Sequence, residues 1–132
     1  VRLPDTPLEV REIPGKGRGL CAAADISAGA LIACSPVLVL EDEERRAAAG
    51  TAVAHYWFWW EDAGPPEPGG GGEPWRAAIA LGPVSMCNHA RPANARFELR
   101  RDERRIDLFA AEAIPAGTEI TIDYDCELWF GG

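Results

Sequence analysis

The chain has 132 residues, 47% hydrophobic and 26% charged, which is the profile of one globular domain large enough to bury its own core. Its formal net charge of −8 argues against nucleic acid as the main partner, since phosphate binding needs a basic face, and favours a basic protein or peptide segment. No apolar run approaches the roughly 18–20 residues of a membrane span, and "VRLPDTPLEV" lacks the apolar core of a signal peptide, although without a starting Met an upstream signal stays open.

In chain order, "LEVREI" (8–13) has a strand-like mix, and "PGKGRG" then breaks it with Gly15, Gly17 and Gly19. Two apolar runs follow in "GLCAAADISAGALIACSPVLVLE", with turn chemistry at Ser27-Ala28-Gly29 between them. "EDEERRAAAG" (41–50) puts acids first and Arg45 and Arg46 after them, which suits a short helix and its dipole, with Gly50 as its stop. "HYWFWWED" (55–62) is too aromatic for an exposed loop and reads as a buried strand or the wall of a site. "AGPPEPGGGGEP" (63–74) reads as a flexible loop inside a single domain spanning 1–132. "ARFELRR" and "RRIDLFAAEAI" alternate around the charged residues 101–104 and predict an antiparallel hairpin, and "PAGTEI" and "TIDYD" give a further turn and strand. A weak internal echo links "AADISAGALI" (23–32) to "AEAIPAGTEI" (111–120). Short strands with little helix predict a mostly-β domain.

Few residues could carry chemistry. "GKGRGL" lacks the second half of a dinucleotide fingerprint and the Lys-Ser/Thr of a phosphate loop; it is a tight turn, or a place where backbone approaches a ligand closely. The chain has 2 histidines. His89, beside Asn88, is either half of a ligand-gripping pair or a packed histidine, and His55 reads as structural. Tyr124 stands between two aspartates at the end of an apolar strand, as a half-buried rim residue or a placed hydroxyl. Cys21, Cys34, Cys87 and Cys126 show no metal-site spacing; they read as buried free thiols in a reducing cytoplasm, with two disulfides or one metal site as the alternatives. A hydrolase is disfavoured. There is no G-x-S-x-G elbow, and Cys87 and His89, two apart on one strand, would not pack as a nucleophile and its base.

Taken together and in order, the Gly-rich turn, "DISAGALI", the aromatic middle, "NHARPAN" and "AIPAGTEITIDYD" resemble a SET domain, the family of S-adenosylmethionine-dependent protein lysine methyltransferases. The likeness runs over nearly the whole chain, and the compact form is similar to short stand-alone SET proteins of bacteria. It implies a mostly-β fold of the β-clip type: small sheets and few short helices around a pseudoknot, in which the segment after "NHARPAN" passes near the loop before "TIDYD". A metal site would need more His, Cys and Asp clustering than the chain shows, so none is expected. By position, Gly17, Arg18 and Gly19 would hold the methionine end of S-adenosylmethionine through backbone groups, with Asn88 and His89 also on the cofactor and Tyr124 as the catalytic tyrosine. Tyr56, Ile122 and Trp129 would line the substrate channel; Ile122 stands where the family often has a ring that limits methyl number, and Trp129 or Phe130 would act as a lid. The usual "NHS-x-x-PN" reads "NHARPAN" here, so Ala90 replaces serine and Pro92 comes one place early while Asn94 keeps its position. Cys126 stands alone where many members continue into a cysteine-rich zinc motif.

The reaction so implied is in-line attack of a neutral lysine amine on a sulfonium methyl group, within an apolar channel that disfavours the ammonium. The implied partner is a basic protein or peptide, with no nucleic acid and no membrane, and a homodimer is one way a small chain of this kind could complete its site. The expected compartment is the cytoplasm, or a host nucleus if the protein is delivered to one. The alternatives are a catalytically weak SET-fold module that binds a peptide or cofactor, and a β-clip domain of the antifreeze or sugar-acid-binding type.

Overall fold

The computed structural model describes residues 5–64 and 73–124. Strand β1 (Leu8–Ile13) folds back on β2 (Gly17–Ala22) as an antiparallel pair, with Ile13 opposite Gly17. The break expected over the glycine run is therefore short. Gly17, in the left-handed region at φ 80°, already opens the second strand.

β3 (Leu31–Leu40) is the axis of the main sheet. Its first half pairs antiparallel with β8 (Arg105–Ala110), and its second half, from Val37, pairs antiparallel with β5 (Trp75–Ala80). The change of partner falls at Pro36, which has no N–H to give to a ladder. β4 (Trp57–Asp62) extends the sheet beyond β5, and β7 (Ala95–Arg100) extends it beyond β8, giving the order β4-β5-β3-β8-β7. The hairpin predicted around residues 101–104 is β7–β8, with Arg100 opposite Arg105. Residues 63–74 join β4 to β5, with Ala63 N–H donating to Pro74 O; residues 65–72 lie outside the described part.

The acidic-then-basic stretch forms α1 (Asp42–Ala48), and Gly50 follows it at φ 85°. The Glu44 side chain accepts from Glu41 N–H at 2.9 Å, closing the first turn. Among the described residues, no helix is long and apolar enough to cross a membrane.

The core lies where the sheets meet, around Leu20, Ile32, Phe58, Phe97, Leu108 and Ile120. The two echo segments pair with each other inside it: Ile26 and Ile114 exchange both backbone hydrogen bonds at 2.8 Å, and both side chains are buried. Each copy turns at its glycine, Gly29 at φ 81° and Gly117 at φ 85°. The second turn is pinned where Ala116 N–H donates to Asp25 Oδ1 at 2.9 Å.

The remaining sheet sets up the site. β6 (Asn88–His89) runs parallel to β9 (Thr121–Ile122), with Asn88 opposite Thr121 and His89 opposite Ile122. The start of "NHARPAN" is thereby held against the start of "TIDYD". Asn94 binds the crossing: its Nδ2 donates to Glu119 O at 2.8 Å, and its Oδ1 accepts from Thr121 N–H at 2.9 Å. The turn thus survives the displaced proline, with a cis Arg91–Pro92 peptide. Cys21, Cys34 and Cys87 are buried free thiols, and the described residues contain no cluster that could hold a metal; Cys126 lies outside them.

Candidate active site

Two cavities of similar size meet at Tyr124. One, of about 270 Å³, is walled by Trp57, Phe58, Trp59, Trp75, Phe97 and Leu99, with Ala54, His55 and Tyr124. The aromatic run is therefore both things its composition allowed. Phe58 and Trp60 are buried, while Trp57 and Trp59 are half-buried and join Phe58 in the wall. A bulge between Trp59 and Glu61 shifts the β4–β5 register within this run. Trp57 meets Trp75 edge-on at 5.7 Å, and the Arg45 guanidinium lies 4.1 Å from the Trp75 ring centre.

The other cavity, of about 280 Å³, is polar. It is lined by Lys16, Gly17 and Arg18 from the β1–β2 turn, by Ser85, Met86, Cys87 and Asn88, and by His55, Tyr56 and Tyr124. A third, larger recess of about 560 Å³, between β4–β5–β3 and the β7–β8 turn, holds none of the expected catalytic, cofactor or channel residues among those described.

Tyr124 is fixed from three sides. Its hydroxyl donates to Cys87 O at 2.9 Å, its N–H donates to His89 Nδ1 at 3.2 Å, and its ring meets Phe58 at 5.4 Å. The His89 ring stacks on it, centre to centre at 6.0 Å. Burial, with the neighbouring Cys87, pushes the Tyr124 hydroxyl up to about 12, so it stays a neutral hydrogen-bonding group in the physiological range. Burial, with the Glu119 charge, likewise pushes the Cys87 thiol up to about 12 and leaves it unreactive.

Asn88 is equally constrained. Its Nδ2 donates to Arg18 O at 3.2 Å and to Glu119 Oε2 at 2.7 Å, while Glu119 Oε1 accepts from Lys16 Nζ at 3.2 Å. Both amide hydrogens are thus used, and the side-chain oxygen is left as an acceptor. Gly19 permits this cluster. A Cβ there would stand 2.7 Å from Glu119 Oε2, 2.7 Å from Ile13 and 2.9 Å from Asn88 Nδ2.

The structure thus brings Gly17, Arg18, Asn88 and Tyr124 to one cavity and seats Gly19 directly behind it. Tyr56, expected to line the substrate channel, faces the polar cavity and is 44% exposed, while Trp57 and Trp59 take the apolar wall. Ile122, expected in the same channel, is buried in the core where β9 lies against β6. The His89 side chain, expected on the cofactor beside Asn88, accepts from Tyr124 N–H. Trp129 and Phe130 lie outside the described residues. The sequence reading missed Glu119 and the position of His55, which lines both cavities. A signal for Glu119 existed in the echo, where it takes the place of Leu31 of the first copy.

The SET domain family profile matches residues 17–125, most of the chain. A curated relative from Schizosaccharomyces pombe (strain 972 / ATCC 24843), named histone-lysine N-methyltransferase, H3 lysine-37 specific, is 30% identical over 125 residues, covering 95% of this chain and 78% of its own. Among solved structures, the Neurospora SET domain protein DIM-5, a histone lysine methyltransferase, superposes with a TM-score of 0.66 at 25% identity over 93% of this chain, which spans 54% of the DIM-5 chain. A Plasmodium falciparum protein, PFL0690c, described as a putative histone methyltransferase, shares the fold at a TM-score of 0.71 and 18% identity, over 96% of this chain and 99% of its own. The chain belongs to the SET-domain family of protein-lysine methyltransferases.

Proposed function

We propose that the chain transfers a methyl group from S-adenosylmethionine to the ε-amine of a lysine in a basic protein segment. One observation carries the reading: Tyr124, its hydroxyl fixed on Cys87 O, stands in the wall shared by a polar cavity and an aromatic one. A group donor on one side and an acceptor side chain on the other would meet at that hydroxyl.

The polar cavity suits the cofactor. The Asn88 side-chain oxygen can accept from an α-ammonium, Lys16 and Arg18 bring positive charge for a carboxylate, and the exposed Tyr56 ring offers a stacking face for a base. S-adenosylmethionine bound there supplies a methyl group on a sulfonium, ready for displacement.

The chain's own residues do the rest. The aromatic walls exclude water and disfavour a lysine ammonium relative to the amine. Because the Tyr124 proton is committed to Cys87 O, the phenolic oxygen is left to accept an amine N–H and so aim the nitrogen lone pair along the methyl axis. His89 keeps the tyrosine in place through its backbone N–H. The net charge of −8 favours encounter with a basic substrate, and a histone-like tail, as in the name of the fission-yeast relative, is the class to test first.

The test is isotopically labelled S-adenosylmethionine incubated with the protein and with histone H3 or lysine-rich peptides, read by mass spectrometry for site and methyl number. Label on lysine is the expected result. Cofactor binding by calorimetry with no transfer to any lysine substrate would reduce the chain to a binding module.

A further inference from the structure

A substrate lysine must lose a proton before it can attack, because at neutral pH it arrives as an ammonium. That proton has to leave a cavity walled mainly by apolar rings. Among the described residues lining the aromatic cavity, the only ionisable side chains are Tyr124 and His55. No carboxylate lines either of the two cavities among those residues. Tyr124 cannot serve: its hydroxyl already donates to Cys87 O at 2.9 Å, and burial holds it protonated up to about 12.

His55 has the opposite character. It ends the 3-10 turn Ala52–His55, is exposed to solvent and lines both cavities. Among the described residues its ring makes no hydrogen bond or ion pair that would commit either nitrogen. Histidine is also the side chain that takes up and gives back a proton between pH 5 and 8 without special tuning.

We propose that His55 is the proton acceptor of the reaction, taking the proton from the incoming lysine ammonium and passing it to water. The inference rests on the methyl-transfer reading above. The ammonium N–H bond breaks with its electron pair left on the lysine nitrogen, and a new N–H bond forms on the imidazole. The imidazolium then releases its proton to solvent and returns to neutral. The freed pair on the lysine nitrogen is the pair that forms the new nitrogen–methyl bond. A methylated lysine leaves the step as an ammonium again, so each further methyl would need the same relay.

Lys16 and Arg18, from the β1–β2 turn, share the polar cavity with His55 and bring positive charge to it. Tyr56, Cys87 and Tyr124 share the same space, and the last two stay neutral.

The test compares wild type, His55→Gln and His55→Ala from pH 6 to about pH 10, with a lysine peptide and labelled S-adenosylmethionine. At pH 7 the glutamine variant should lose about tenfold to a hundredfold in kcat, with the deficit closing toward pH 10, where the free amine is abundant. Its cofactor affinity and melting temperature should stay within about twofold and a few degrees of wild type, and added imidazole should restore part of the His55→Ala rate. A deficit equal at every pH with no rescue, or no deficit at all, overturns the assignment. Wild type active with unaffected variants removes His55 alone, whereas wild type inactive at every pH removes the methyl-transfer reading and this proposal with it.

Discussion

Replacing Glu119 by glutamine keeps the shape of the side chain and takes away its charge. In the native chain its two oxygens serve two donors, Asn88 Nδ2 at 2.7 Å and Lys16 Nζ at 3.2 Å. A glutamine has one oxygen, so it can satisfy one of them and must turn its own N–H groups toward the other. The Asn88 contact is charge-assisted, and the Glu119 side chain is only 17% exposed, so its loss costs about 1.5–3 kcal/mol. The Lys16 partner is 41% exposed, and after solvent screening that contact contributes no more than about 1 kcal/mol. If the new oxygen stays on Asn88, a neutral hydrogen bond survives, and a net effect of about 2 kcal/mol is the central expectation. At this chain length that corresponds to a melting temperature lower by roughly 8 °C. Calorimetric titration with S-adenosylmethionine should also show affinity weakened about fivefold to thirtyfold, because the weaker neutral bond holds the Asn88 amide, and so its oxygen, less firmly in one orientation. Lys16→Met, which removes the screened pair, should lower stability by less than about 1 kcal/mol. A lower melting temperature with unchanged affinity would show that Glu119 supports the fold and does not orient Asn88. No change in either measurement would refute the contact itself.

Tyr124→Phe keeps the ring against Phe58 and removes the hydroxyl; methyl-transfer kcat should fall by about a hundredfold or more while calorimetry finds cofactor affinity within about threefold. Asp107 is 3% exposed and accepts from Arg105 Nε at 2.9 Å and Arg100 Nε at 3.1 Å. Because both arginines reach solvent, Asp107→Asn should cost about 1–3 kcal/mol in urea unfolding, less than breaking a wholly buried pair. Burial alone would raise the Asp107 carboxyl, but the hydrogen bonds from Arg105, Cys34 and Arg100 outweigh it and hold it below 3.8; its stabilisation is whole above that value and is lost as pH falls further. On the alkaline side, Cys87 rises from 9.0 to about 12 and Tyr124 from 10.0 to about 12. Both folded values exceed the unfolded ones, so this stabilisation is whole below pH 9 and disappears as pH climbs to about 12. Urea midpoints should fall steeply across that window, and Cys87→Ala should flatten the fall.

The elements were legible in the sequence wherever one local rule decided them. Alternation gave β7 and β8, charge order gave α1, and aromatic density marked β4 as a wall. What stayed hidden depended on which distant segment each element meets. Nothing local to "NH" says that two residues will lie parallel to Thr121–Ile122, and that pairing is what buries Ile122 and turns His89 onto Tyr124. Tyr56 and Trp57 are neighbours in sequence, yet Tyr56 lies just ahead of β4 and faces the polar cavity, while Trp57, paired with Ile79, lines the apolar one. His55 read as structural because proximity to two cavities is a property of packing and not of its neighbours in the chain. The echo shows the boundary most sharply. Its two copies follow the same pattern through Ile26 and Ile114, and there they simply pair and fill the core. Among the positions where they differ, Leu31 is matched by Glu119, and the acid stands where the second copy runs past Gly19 and Asn88. An acid so little exposed is tolerated where surrounding donors satisfy it, as Asn88 and Lys16 do here, so this difference between the two copies is where packing gives way to a site.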